Sequence, residues 1–158
     1  MFEAHVVENR ATTVAYLTMV GSYDQIASGF IALYSWIEEC GHAAVGSPHA
    51  TFLTDPVLVA EDEARWELWT EIYAVSYVPD TMDQSGCGIK IVPQRTLATT
   101  VHEGPVDSIE TTHESLGIWV VERGFRIVGP PEEMYLTDAM DVSPEQIRTQ
   151  VGIPVRCV

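Results

Sequence analysis

Two stretches of this 158-residue chain set carboxylates beside aromatic side chains. In the first, Pro130-Pro131-Glu132-Glu133-Met134-Tyr135, strand alternation puts Glu133 and Tyr135 on one face and turns Glu132 the other way, toward the surface. A carboxylate and a phenol facing a pocket can bind a cation or serve as acid and base. The competing expectation is a solvated Glu133 and a Tyr135 packed in the core. In the second, residues 64–73, alternation sets Glu67, Trp69, Glu71 and Tyr73 against Trp66, Leu68, Thr70 and Ile72. The latter set is the natural core face. The former suits a polar aromatic pocket or an edge facing solvent. Tyr16, Tyr34, Phe52, Trp66, Trp69 and Tyr73 can supply aromatic walls, which attract organic cations and stack on planar molecules. Taken singly, each such residue is more often core than wall.

Other common chemistries lack their signatures. The histidines, at 5, 42, 49, 102 and 113, form no helix-borne ligand pair and no zinc motif, so no metal site is expected. His102, at a strand-to-helix turn, reads as structural or surface. There is no nucleophile elbow, phosphate loop or dinucleotide fingerprint, and no cofactor is expected. Cys40, Cys87 and Cys157 are odd in number and far apart, which fits a reducing, cytoplasmic setting.

The elements that must position these residues occur twice. At a constant offset of 83, Thr13, Ala15, Gly21 and Asp24 recur as Thr96, Ala98, Gly104 and Asp107. Trp36, Glu39 and Gly41 recur as Trp119, Glu122 and Gly124. Gly46, Pro48 and Leu53-Thr54-Asp55 recur as Gly129, Pro131 and Leu136-Thr137-Asp138, and Arg65 as Arg148. These are turn, cap and core positions, which fix the course of a backbone. Each copy reads strand, helix, strand, strand. Residues 12–20 and 95–102 are strands, 23–40 and 106–123 amphipathic helices, 50–53 and 133–136 third strands, and 65–75 and 148–155 last strands. Ile26, Phe30, Leu33 and Ile37 form the first helical stripe; Ile109, His113, Leu116 and Val120 form the second. Ser22 suits a cap, and Gly41 and Gly124 suit left-handed helix ends. Residues 2–8 and 88–92 are expected to open the two halves, about 1–78 and 88–158, joined by a turn-rich linker from Pro79 to Gly88. The expected fold is α+β: a duplicated β-α-β-β unit, about eight mostly antiparallel strands and two main helices around a central cleft.

Composition narrows the function classes. Hydrophobic residues make up 46% of the chain, enough for a core. Acidic residues outnumber basic ones 23 to 8, a formal charge of −15, with no basic cluster. Direct nucleic-acid binding is therefore not expected. No apolar run is long enough to span a membrane, and no signal peptide is read.

The segments Val14–Ile26 (VAYLTMVGSYDQI), Thr99–Ile109 (TTVHEGPVDSI), Gly129–Asp138 (GPPEEMYLTD) and Ile153–Val155 (IPV), in this order on a duplicated frame, resemble the GyrI-like family. This family includes the effector-binding domain of bacterial multidrug-sensing transcription activators. The resemblance covers essentially residues 1–158 as a single domain. It implies a central aromatic pocket for lipophilic, cationic or planar small molecules, with a buried glutamate in a Glu-x-Tyr pattern, here Glu133-Met134-Tyr135. It places pocket aromatics at Tyr16, Trp66, Trp69 and Tyr73. Some stand-alone relatives resemble hydrolases of cyclopropane-bearing natural products, a role that Glu67, Glu133 and Tyr135 would fill here. Others resemble the DNA gyrase inhibitor protein, which acts by protein contact. No helix-turn-helix accompanies the pattern, so a separately encoded protein partner is a further expectation. Thr18 stands where relatives often carry a basic residue, and His49 is expected in a loop.

Overall fold

The computed structural model describes residues 2–75, 78, 81–138 and 140–158. Pro79 and Asp80, at the head of the expected linker, lie outside the described residues. The fold is α+β, with nine strands and two main helices among the described residues. The chain forms two compact units, Ala11–Pro93 and Met1–Arg10 with Gln94–Val158. They are called the N-terminal and C-terminal units below.

In the N-terminal unit the strand order is β3 (Ala44–Phe52), β4 (Arg65–Ile72), β2 (Thr12–Val20), β5 (Cys87–Val92). In the C-terminal unit it is β1 (His5–Asn9), β6 (Arg95–Glu103), β9 (Arg148–Cys157), β8 (Glu132–Tyr135), with the short β7 (Phe125–Ile127) also on β9. Every pairing within the units is antiparallel. The opening strands are exchanged relative to the sequence expectation. β1 pairs with β6 and β5 with β2, so each repeat lends its first strand to the other. The connections explain why. β1 and β2 are separated only by Arg10-Ala11, and β5 and β6 only by Pro93-Gln94. A two-residue hairpin favours glycine, asparagine or aspartate, which accept positive φ, and neither joint contains one.

Each helix starts with a 3₁₀ turn rather than running unbroken. Tyr23–Gln25 precedes α1 (Ile26–Glu39), and Val106–Ser108 precedes α2 (Ile109–Glu122). Ser22 caps the first turn by accepting the Asp24 amide at 3.3 Å. Gly41 and Gly124 follow the two helices with φ of 77° and 80°, the left-handed geometry that glycine takes without steric cost.

The stripes are buried as their periodicity requires. Leu33 and Ile37 of α1 lie on the sheet face of Trp66 and Leu68. Leu116 and Val120 of α2 pack with Ala98, Val151, Ile153 and Val155. Those contacts fix which face of each sheet its helix covers.

Candidate functional site

Register places the first cluster. In the C-terminal unit Glu133 lies opposite Val151 and Tyr135 opposite Thr149. Val151 belongs to the core under α2, so Glu133 and Tyr135 share the helix-facing side. Tyr135 donates its hydroxyl to Glu133 Oε1 at 2.9 Å, and His113 Nε2 from α2 meets Glu133 Oε2 at 2.7 Å. Glu133 is only 8% exposed. Burial, and then the neighbouring carboxylate, push the Tyr135 phenol far above its ordinary range, which keeps it protonated as a donor. The alternation argument thus holds for the pair, with α2 as the surface they face. His113 was legible only as a stripe residue. The repeat offered a signal, because its counterpart at the same offset is Phe30.

More polar groups lie on the same face. His102, 8% exposed, holds Thr112 Oγ1 at 2.7 Å through Nδ1 and the Pro105 carbonyl at 3.0 Å through Nε2. A carbonyl only accepts, so Nε2 carries a proton. Thr149 is flanked in register by Tyr135 and His102. It is fully buried, and its hydroxyl has no hydrogen-bond partner among the described residues.

Glu132 points away from Glu133 as alternation requires, but it does not reach the surface. It is 5% exposed and held bidentately by Arg95, with Nη2 to Oε1 at 2.8 Å and Nη1 to Oε2. Burial raises its pKa and Arg95 opposes that, with a net upward shift. A forked guanidinium can hold a carboxylate out of water where an unpaired one would not be tolerated.

The second cluster lies on the N-terminal sheet, on the face opposite Leu68. Lys90 meets Glu67 Oε1 at 2.5 Å, and its ammonium sits 4.7 Å from the centre of the Tyr16 ring. Trp69 stacks on His49 with centroids 3.8 Å apart and planes 14° from parallel. Its indole N–H donates to Thr51 at 2.9 Å. His49 is thus a strand residue of β3, beyond an irregularity in register, and not a loop residue. Gly88 pairs with Tyr16, and a Cβ there would lie 2.8 Å from the Tyr16 hydroxyl. Only glycine lets that ring lie across β5.

Three expected aromatic walls belong elsewhere. Trp66 is fully buried on the α1 side, and its indole N–H donates to the Gly21 carbonyl at 3.0 Å. Tyr23 packs edge-on against both Trp66 and Phe52, which makes Phe52 part of that core. Tyr73 lies past the end of β4 and is 68% exposed. Of the expected catalytic trio, Glu133 and Tyr135 come together, while Glu67 belongs to the Lys90 cluster of the other unit. A recess of about 610 Å³ is lined by Gly21, Ser22, Asp24, Gln25, Glu61 and Asp62, none of them a candidate residue.

The partners of the buried carboxylates differ. Glu67 and Glu132 each have a fixed cation beside them. Glu133 has a hydroxyl and an imidazole. Among the described residues no group of three or more His, Cys, Asp or Glu is disposed to hold a metal ion, and no helix is long and apolar enough to cross a membrane.

Residues 3–156 match the GyrI-like small molecule binding domain. No curated protein matches the sequence. Among solved structures, the chain is similar to EcmrR in a cryo-EM complex with DNA, at 16% identity and a TM-score of 0.84, over 99% of this chain and 58% of that one. The chain therefore spans little more than half the length of that protein. It matches the EcmrR C-terminal domain over 100% of this chain and 99% of that one, at 18% identity and a TM-score of 0.79. A hydrolase from Listeria innocua matches at 14% identity and a TM-score of 0.72, covering 98% and 92%. SAV2435 bound to tetraphenylphosphonium matches at 12% and 0.58, covering 98% and 94%. At these identities the likenesses establish the fold.

Proposed function

The chain belongs to the GyrI-like family of small-molecule-binding domains, and from that premise we propose that residues 1–158 form one such domain, which binds lipophilic cations or cationic planar aromatics through Glu133. The carrying observation is that Glu133 is buried yet has neutral-capable hydrogen-bond partners instead of a lysine or arginine. Burial makes its charge costly, and an arriving cation removes that cost. SAV2435, of the same fold, is bound to a lipophilic cation. The formal charge of −15 favours action without direct nucleic-acid contact, either alone or with a separately encoded protein. Tetraphenylphosphonium titrated calorimetrically should bind saturably, and Glu133→Gln should weaken it about tenfold or more. Equal affinity for the two proteins would overturn the reading.

One observation favours hydrolysis as a second reading. Tyr135 and His113 both touch Glu133, so a carboxylate base and two proton carriers are already in contact. Glu133 would take a proton from water as the water oxygen bonds to the electrophilic carbon and the leaving group departs with the Tyr135 proton; Glu133, once protonated, would return its proton to the adjacent Tyr135 oxygen. Turnover of an electrophilic substrate, lost in Glu133→Gln, would separate a hydrolase from a binder.

A further inference from the structure

The duplication supplies an internal control for the Glu133 cluster. At the same offset, His102, Thr112, His113, Glu133, Tyr135 and Thr149 correspond to Met19, Gly29, Phe30, Ala50, Phe52 and Trp66. In the N-terminal unit those positions make an apolar core. Trp66 and Ala50 are fully buried there, and Met19 and Leu68 press against Gly29. In the C-terminal unit every one of the six is polar. A fold that packs these positions with an indole and hydrocarbon does not need a carboxylate, two imidazoles and three hydroxyls there for stability.

Five of the six are tied into hydrogen bonds: Tyr135 and His113 to Glu133, and Thr112 to His102. The sixth is Thr149. Its hydroxyl is fully buried without a partner among the described residues, on the face and between the strands that carry Tyr135 and His102. Its counterpart Trp66 fills the same place with a full indole. A buried hydroxyl left unsatisfied costs stability that a valine of the same shape would not.

We infer that Thr149 is a specificity-determining residue of the Glu133 site, whose hydroxyl accepts a hydrogen bond from the bound cation. The inference rests on the binding reading above and adds a ligand class to it. A protonated amine brings N–H donors that satisfy both the carboxylate and Thr149. A quaternary ammonium or phosphonium brings charge alone, and leaves the threonine as it is.

The test uses naphthylmethylammonium and its N-trimethyl analogue, titrated calorimetrically against the wild-type chain, Thr149→Val, Thr149→Ser and Glu133→Gln. Thr149→Val should weaken the primary ammonium about tenfold, the worth of one charge-assisted hydrogen bond, and leave the trimethyl probe unchanged. Thr149→Ser should restore the preference. Thr70 is also fully buried with an unpartnered hydroxyl, in the N-terminal unit. Thr70→Val should alter neither affinity, which controls for a general effect of removing a buried hydroxyl. If Glu133→Gln abolishes binding but Thr149→Val leaves the ratio of the two affinities at its wild-type value, the role assigned to Thr149 is wrong and the Glu133 reading stands. If neither probe binds saturably to the wild-type chain, both fall.

Discussion

Arg95→Met strands a charge. In the native chain the Arg95 and Glu132 side chains are 19% and 7% exposed and joined through both guanidinium nitrogens. Methionine keeps much of the apolar stem and removes the cation. Losing one partner of a buried pair costs about 3–5 kcal/mol, because the remaining charge is neither solvated nor neutralised. For a chain of this length each kcal/mol shifts the melting temperature by about 2–4 °C, so a fall of about 10 °C at neutral pH is expected. The pH dependence identifies the cause. Burial already holds the Glu132 pKa above its ordinary value, even with Arg95 opposing. An acid whose folded pKa is raised binds protons more readily folded than unfolded, so it favours stability at low pH and loses that contribution as pH rises through the folded pKa. Without Arg95 the folded pKa rises further. The deficit of Arg95→Met should therefore shrink as pH falls through that window, toward the ordinary carboxylate range. Urea unfolding followed by tryptophan fluorescence, at pH 7 and pH 5, measures it. Adding Glu132→Gln should recover much of the loss at pH 7. A deficit of equal size at both pH values, unrelieved by Glu132→Gln, would mean that Arg95 acts through packing and that the stranded-charge argument is wrong.

Two further substitutions probe the N-terminal sheet. Gly88→Ala puts a methyl group into the Tyr16 ring; it should cost about 1–3 kcal/mol in urea unfolding, and Tyr16→Leu in the same chain should relieve most of it. Trp66→Ala removes a fully buried indole hydrogen-bonded to Gly21, so a loss of about 3–5 kcal/mol is expected, whereas a loss below about 1 kcal/mol would refute its place in the core.

The duplicated frame was legible because glycines, caps and apolar stripes act locally and were repeated in register. Strand alternation was equally local, and it put Glu133 with Tyr135 and Trp66 with Leu68. Alternation assigns a face but not what covers it. Glu132 was therefore expected at the surface, although Arg95, 37 residues away, holds it in the interior. Partner choice between strands is non-local. Two similar repeats give each strand two nearly equivalent mates, and the short Arg10-Ala11 and Pro93-Gln94 joints were the only hints of the exchange. His113 is not legible as a site residue, because periodicity treats a histidine on a stripe as an ordinary occupant. Setting it beside Phe30 exposes the change in chemistry.

The exchange of β1 and β5 has a consequence for biogenesis. The N-terminal unit completes its sheet as soon as residues 87–92 leave the ribosome, since all its strands then precede them. β1 is made first but must wait for β6, nearly ninety residues later. During that interval it is a nascent strand with an unclaimed edge, the kind of segment that recruits other chains. Glu8 within it and Glu3 just before it make that edge acidic and a poor template for intermolecular pairing. A single proteolytic nick after Pro93 would leave β1 on the wrong fragment, so the first half of the gene encodes a complete sheet while the second half lacks its first strand.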